Sequence, residues 1–291
     1  MNILHLIIEP FSEYDFLRYA LTSIVFLAAG TAPVGVFLMM RRMSLVGDAL
    51  GHAILPGAAI GYLLAGLSLP AMSLGGFIAG LVMALLAGMA SRFASVKEDA
   101  SFAAFFLTCL ALGVVLVSKS GNSVDLLNLL FGSILAVDLP ALTLVATVSS
   151  LTMVVLAVIY RPLMLESIDP LFLRSVNGKG AIWHIIFLIL VVLNLVAGFQ
   201  ALGTLMSVGL MMLPAITARL WAKTMFYTIV LAVLIAGCCG FAGLLMSYYV
   251  DLPSGPAIIL CCGFIYLVSL LIGTENGIFW QFYRRRHHHA V

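Results

Sequence analysis

Charged side chains are scarce in this sequence. Of 291 residues, 14 are Lys or Arg and 12 are Asp or Glu, whereas 63% are hydrophobic. A soluble chain of this length would carry about 70 charges, so this one has too little polar material to cover a surface that faces water. The formal net charge of +2 is also too small for a nucleic-acid-binding protein. The composition therefore predicts an all-α, polytopic transmembrane bundle in contact with lipid.

Motifs for nucleotide binding and hydrolysis are missing as well. The nearest approach to a Walker A loop, Gly113 to Ser120, has Ser118 where the second glycine belongs. No His-Glu-x-x-His zinc-protease motif and no Gly-x-Ser-x-Gly nucleophile elbow occurs. We therefore expect a chain that is not itself an enzyme. Any energy that its function needs would come from an ion gradient or from another subunit.

Uncharged stretches of about 20 residues, the length that crosses a bilayer, predict nine spans. Two double-length runs are divided at turns predicted around Gly66–Pro70 and Gly198–Gly203. The runs are Tyr19–Met40, Met43–Ser91 (two helices, with Asp48 as the one charge), Ala100–Ser118, Leu139–Tyr160, Ala181–Ala218 (two helices), Thr224–Val250 and Leu252–Thr274. The short apolar segment Leu126–Val137 is also compatible with a re-entrant or interfacial helix. We expect one permease domain over residues 1–280 and a basic, His-rich tail over 281–291.

The basic residues are distributed unequally between the two sides of these spans. Twelve of the fourteen lie on one side, and only Arg18 and Lys119 lie on the other. By the positive-inside rule, the N-terminus is predicted outside and the C-terminus in the cytoplasm. The longest cytoplasmic loop, 161–180, mixes Glu166 and Asp169 with apolar residues, a pattern that fits a short docking helix or a helix lying on the headgroups.

Asp48 and His52 are the unusual residues of the apolar runs. Four residues apart, they share one helix face and offer an oxygen and a nitrogen to a divalent metal. An ionisable residue at membrane depth indicates a functional site by default. Two alternatives remain open: the two side chains pair only with each other, or Asp48 lies near the interface and caps the helix. Two ligands are too few for a transition metal, and a second subunit would complete the set.

Small residues around this pair favour close helix packing. Gly47 and Gly51 thin the helix, so another helix or a second copy could approach closely. Pro56 and Gly57 weaken the backbone ladder one turn later, as in the broken helices of transport sites. His184, at the predicted cytoplasmic start of a span, is interpreted as an interfacial histidine and not as a ligand.

Six segments, in order along the chain, resemble the membrane permeases of ABC importers for zinc, manganese and iron, the ABC-3 family. They are Arg41–Gly57, Lys97–Ala100, Asp125–Leu135, Glu166–Arg174, Gly203–Arg219 and Ser247–Pro256. The resemblance implies a type II ABC importer-like bundle of eight or nine spans in a bacterial cytoplasmic (inner) membrane. It also implies a homodimer, two cytoplasmic ATP-binding subunits and an extracytoplasmic metal-binding protein as partners.

The resemblance further implies roles for individual residues. Asp48 and His52 match the membrane metal site of the family, where pairs from two subunits would face each other. The segment from Glu166 to Gly178 matches the coupling helix that docks on the ATPase, with residues Glu166, Asp169, Leu171, Phe172 and Gly178 as the expected contacts. No cofactor would be bound permanently, and the cargo would be Mn²⁺ or Zn²⁺, with Fe²⁺ also acceptable. A proton-coupled secondary carrier that needs no ATPase is the alternative.

Overall fold

A computed structural model describes residues 9–66, 68–93, 98–119, 137–168 and 180–275 of the protein. Within these ranges the chain forms nine helices of 16 to 30 residues and one short helical segment at 9–13. These ranges contain no strand. The helices are α1 (Asp15–Met40), α2 (Ser44–Ala65), α3 (Leu69–Phe93), α4 (Glu98–Lys119), α5 (Leu139–Ile168), α6 (Gly180–Leu202), α7 (Thr204–Arg219), α8 (Met225–Val250) and α9 (Ser254–Ile272).

The helices agree with the predicted transmembrane bundle. Seven of them are long and apolar enough to cross a bilayer, and α4 and α7 contain shorter apolar stretches. Both predicted divisions are confirmed: Gly66 follows α2 with φ +66° and Gly203 separates α6 from α7 with φ +88°. Glycine adopts a positive φ without the clash that a Cβ would cause, so the chain can leave a helix at each of these positions inside an apolar run.

One helix extends well beyond its predicted span. The span was predicted to end at Tyr160 because Arg161 is charged, yet α5 continues through Pro162 to Ile168. The end of an apolar run marks the edge of the hydrocarbon, not the end of the helix, because a helix outside the lipid tolerates charge. Glu166 is therefore a helical residue. Residues 120–136, which include most of Leu126–Val137, lie outside the described ranges.

The centre of the bundle is built on α1 and α6, the two helices most buried by their neighbours. Helix α1 packs against α5, α7 and α8, whereas α2, α3 and α4 form a second closely packed group. Glycines allow backbone contact in both places. A Cβ on Gly35 of α1 would collide with the Met211 carbonyl oxygen of α7, and one on Gly57 of α2 with the Gly75 carbonyl oxygen of α3.

A tight turn joins α1 to α2. The Met43 amide donates to the Leu38 carbonyl at 3.0 Å and the Arg42 amide to the Met39 carbonyl at 3.0 Å, the two bonds of a Schellman motif. Leu38 and Met43 are both buried, as this motif favours. Arg42 has φ +59° at the position where glycine is usual. The turn needs only three residues between helices and fixes the start of α2.

Candidate metal site

Helix α2 places Asp48 and His52 side by side, as their spacing predicts. His52 Nε2 lies 3.6 Å from Asp48 Oδ1, longer than a good hydrogen bond. The His52 side chain is 30% exposed and that of Asp48 is 58% exposed in the single chain. Asp48 is the fifth residue of α2 and the N-cap position is Met43, so Asp48 does not occupy the capping position that one alternative gave it. The two side chains are neighbours, but no short hydrogen bond joins them.

The glycines beside the pair pack against another helix of the same chain. A Cβ added to Gly47 would lie 2.5 Å from Met211 Cε, and one added to Gly51 would lie 3.0 Å from Val208 Cγ2. Both contacts are to α7. The predicted close helix approach is thus present, with α7 as the neighbour. Helix α7 therefore covers the face of α2 that carries Gly47 and Gly51, whereas Asp48 remains exposed.

The ring of Phe106, on α4, packs against the ring of His52. The two ring centroids are 5.1 Å apart, with the planes inclined by 58°. His52 Nδ1 is buried and has no hydrogen-bond partner among the described residues, whereas Nε2 faces Asp48. The atoms that this chain offers to an ion are therefore His52 Nε2 and the Asp48 carboxylate, on the same exposed edge of α2.

Asp48 and His52 do not form a complete metal-ligand set with other described residues. Over the described ranges, no group of three or more His, Cys, Asp and Glu side chains is arranged to hold a metal ion. A divalent transition metal normally has at least four ligands.

A second carboxylate and imidazole lie next to Arg41, the C-cap residue of α1. Arg41 Nη2 donates to Glu166 Oε2 at 2.7 Å, Nη1 donates to His184 Nδ1 at 2.7 Å and Nε donates to Ser167 Oγ at 3.2 Å. The side chains of Arg41, Glu166 and His184 are 7%, 12% and 16% exposed. The guanidinium carbon also lies 4.8 Å from the ring centroid of Phe187. We call Arg41, Glu166, Ser167 and His184 the Arg41 cluster.

The Arg41 cluster orients the His184 ring. A guanidinium only donates hydrogen bonds, so His184 Nδ1 is the acceptor in this contact. The same nitrogen lies 3.9 Å from Glu166 Oε1, too far for a hydrogen bond. The sequence predicted His184 at the membrane interface and Glu166 in a docking loop, and it gave no contact partner for Arg41. Contact partners 125 and 143 residues apart leave no local spacing signal.

The other residues predicted to contact an ATPase fall outside the described ranges. Asp169, Leu171, Phe172 and Gly178 belong to residues 169–179, between α5 and α6. Glu166 is described, and its carboxylate points to Arg41.

Comparison with known proteins identifies the family. The ABC 3 transport family model matches residues 13–273. The manganese import system permease protein ScaB of Streptococcus gordonii is 32% identical over 273 residues, which cover 92% of this chain and 95% of ScaB. The manganese transport system membrane protein MntC of Listeria monocytogenes is 30% identical over 276 residues, with 95% and 97% covered.

Solved structures agree with this assignment. The structure of PsaBC from Streptococcus pneumoniae in complex with Fab superposes with a TM-score of 0.84 and 27% identity, covering 94% of this chain and 98% of the matched one. The match extends over nearly the whole of both chains, as do the sequence matches. The chain is therefore a multi-pass membrane permease that belongs to the ABC 3 transport family.

Proposed function

We propose that this chain is the permease subunit of an ATP-driven importer that carries Mn²⁺ across the cytoplasmic membrane. The principal support is the Asp48–His52 pair, an oxygen and a nitrogen donor placed together on an exposed edge of a helix in a bundle with few charges. The named relatives that are manganese import permeases are consistent with this cargo.

The donor set favours a metal such as manganese. Carboxylate oxygen and imidazole nitrogen suit Mn²⁺, Fe²⁺ and Zn²⁺, whereas soft Cu(I) prefers sulfur ligands. Manganese binds such sites most weakly of the divalent first-row metals, which suits a site that must release its ion in every cycle. Zn²⁺ and Fe²⁺ are the competing cargoes.

A second copy of the chain would complete the site. With the exposed edges of two α2 helices facing each other, two Asp48 and two His52 side chains would supply four ligands, and water could fill the remaining positions. Deprotonated Asp48 would also lower the cost of holding a cation between apolar helices. Each ion would enter from outside, where an extracytoplasmic metal-binding protein delivers it, and would leave on the cytoplasmic side when the two halves rearrange.

Two cytoplasmic ATP-binding subunits would drive this rearrangement through the segment between α5 and α6. We propose Asp169, Leu171, Phe172 and Gly178 as its contacts with the ATPase, and Glu166 as part of its support. The orientation follows from the basic residues, with the N-terminus outside and the C-terminus inside.

The test is uptake of radioactive Mn²⁺ by proteoliposomes that contain the permease with its ATPase subunits, with and without enclosed ATP. We expect ATP-dependent uptake by the wild type and at least a 100-fold loss in D48N, which keeps the shape of the side chain but removes the anionic ligand. D251N is the matched control: Asp251 is exposed at the end of α8 with φ +56°, a conformation that Asn also adopts readily. It should retain uptake within two-fold.

Two outcomes would contradict the proposal. Full uptake by D48N, assembled at wild-type levels, would remove Asp48 from the site. Uptake that follows an imposed proton gradient and persists without any ATPase subunit would instead support a proton-coupled carrier. Competition by Zn²⁺ and Fe²⁺ at matched free concentrations ranks the cargoes in the same assay.

A further inference from the structure

Arg41 contacts both ends of the segment proposed to dock on the ATPase. Glu166 and Ser167 lie in the last turn of α5 before residues 169–179, and His184 lies in the first turns of α6 after them. Separate nitrogens of one guanidinium bond all three side chains, at 2.7 to 3.2 Å. A displacement of residues 169–179 that moves either flank must therefore move Arg41 or break one of these bonds.

Arg41 is also tied to the helix of the metal site. It is the C-cap residue of α1, and α2 begins at Ser44, three residues later. The turn has little conformational freedom. The Arg42 and Met43 amides donate the two Schellman hydrogen bonds, and the Met43 side chain is buried. Asp48 follows within the next two turns of helix. A shift of Arg41 thus passes to the start of α2 through a short and tightly bonded connection.

The composition of the Arg41 cluster fits transmission better than a purely stabilising role. Burying a charged pair gains little over burying apolar residues of similar size, because desolvation offsets the attraction. A planar guanidinium with several donors holds several acceptors in one fixed geometry, which a lysine ammonium does less well. Here it joins the ends of α1, α5 and α6 at one point.

We propose that Arg41 is a positioning residue that transmits the movement of residues 169–179 to the Asp48–His52 helix. The inference rests on the proposed function, because it needs a transported ion and an ATPase that docks on that segment. In this role Arg41 would contact neither the ion nor the nucleotide. Its removal should uncouple ATP hydrolysis from transport while leaving the metal site able to bind.

The experiment compares R41Q with R42Q in proteoliposomes that contain the complete complex with its ATPase subunits. R42Q removes the same charge from the adjacent, exposed residue and is the matched control. Three quantities are measured: Mn²⁺ uptake, ATP hydrolysis and equilibrium Mn²⁺ binding. For R41Q we expect at least a ten-fold fall in Mn²⁺ carried per ATP hydrolysed, with Mn²⁺ affinity within two-fold of wild type. For R42Q, both should stay within two-fold.

The conservative variant R41K gives a second, graded readout. Its ammonium keeps the charge but cannot bond Glu166, Ser167 and His184 in the same fork geometry. We expect a transport ratio between those of the wild type and R41Q. Equal ratios in R41K and R41Q also support the proposal, because they assign the role to the geometry and not to the charge. A wild-type ratio in R41K would overturn the proposal that the bonding geometry of the guanidinium transmits the movement.

The experiment distinguishes failure of this inference from failure of the proposed function. A wild-type complex without ATP-dependent uptake would overturn the proposed function and this inference together. Normal wild-type uptake with an unchanged ratio in R41Q would overturn the inference alone, as would a parallel loss of Mn²⁺ binding and uptake, which indicates a structural role. If R41Q does not assemble, the Mn²⁺ carried per ATP hydrolysed is measured in E166Q, which keeps the shape of the side chain and an acceptor oxygen. A fall in this ratio supports the inference, and an unchanged ratio overturns it.

Discussion

Two carboxylate–imidazole groupings lie near the start of α2, and they differ in what completes them. The side chains of Glu166 and His184 are 12% and 16% exposed, and they share the guanidinium of Arg41 at 2.7 Å each. Asp48 and His52 are 3.6 Å apart, and Asp48 is 58% exposed. The first grouping is satisfied within one chain. The second has no third ligand among the described residues.

This difference teaches that residue type alone does not identify a binding site. Both groupings contain one acid and one histidine, but only the open one has donor atoms free to take an ion. In the Arg41 cluster the same atoms already accept hydrogen bonds from a cation that cannot dissociate from the chain. We therefore interpret the closed grouping as one that holds helices together and the open one as the candidate metal site.

Removing one acid from each grouping should give the largest contrast, in stability. E166A leaves the Arg41 charge buried without its anion, and breaking such a pair costs about 3–5 kcal/mol. D48A removes a mostly exposed side chain from a loose pair, so we expect a loss of less than about 1 kcal/mol. Denaturant unfolding of the purified permease in one detergent, with both variants in parallel, measures these losses. Equal losses would erase the distinction between a closed and an open grouping.

Metal binding should reveal the opposite contrast. At a free Mn²⁺ concentration 100 times its dissociation constant, a ligand that binds only the folded state stabilises it by about 2.7 kcal/mol. The wild type and E166Q should both gain this increment, each relative to its own metal-free form. D48N should gain almost none. The measurement is thermal unfolding with added Mn²⁺ and with Mg²⁺ as the control ion; a full gain in D48N would place the metal elsewhere.

Much of the fold was predictable from the sequence, for local physical reasons. Uncharged runs and two glycine-rich breaks predicted the nine long helices of the described residues, because hydrocarbon excludes charge and Gly66 and Gly203 can adopt positive φ. The adjacency of Asp48 and His52 followed from helix periodicity alone. The prediction failed at the end of α5, where a change in polarity was taken as the end of a helix.

The Arg41 cluster was not predictable in the same way. Its partners are 125 to 143 residues away, and nothing in the local pattern distinguishes Arg41 from Arg42. A charged residue next to a span is normally assigned to the solvated edge of the membrane, whereas tertiary packing buries this one. Likewise, Gly47 and Gly51 predicted a close neighbour without indicating that it would be α7.

The smallest expected effect concerns Arg42, which lies in the turn between the two groupings. Its φ of +59° costs a residue with a Cβ about 1–2 kcal/mol, whereas glycine pays only its greater chain entropy, about 0.5–1 kcal/mol. R42G and R42A both lose the exposed charge, so their difference isolates the backbone. We expect R42G to be more stable than R42A by about 0.5–1 kcal/mol, the reverse of the order inside a helix. Denaturant unfolding of the two variants provides the measurement. A more stable R42A would mean that the turn is not held in the left-handed conformation, and the tight connection from Arg41 to α2 would lose its basis.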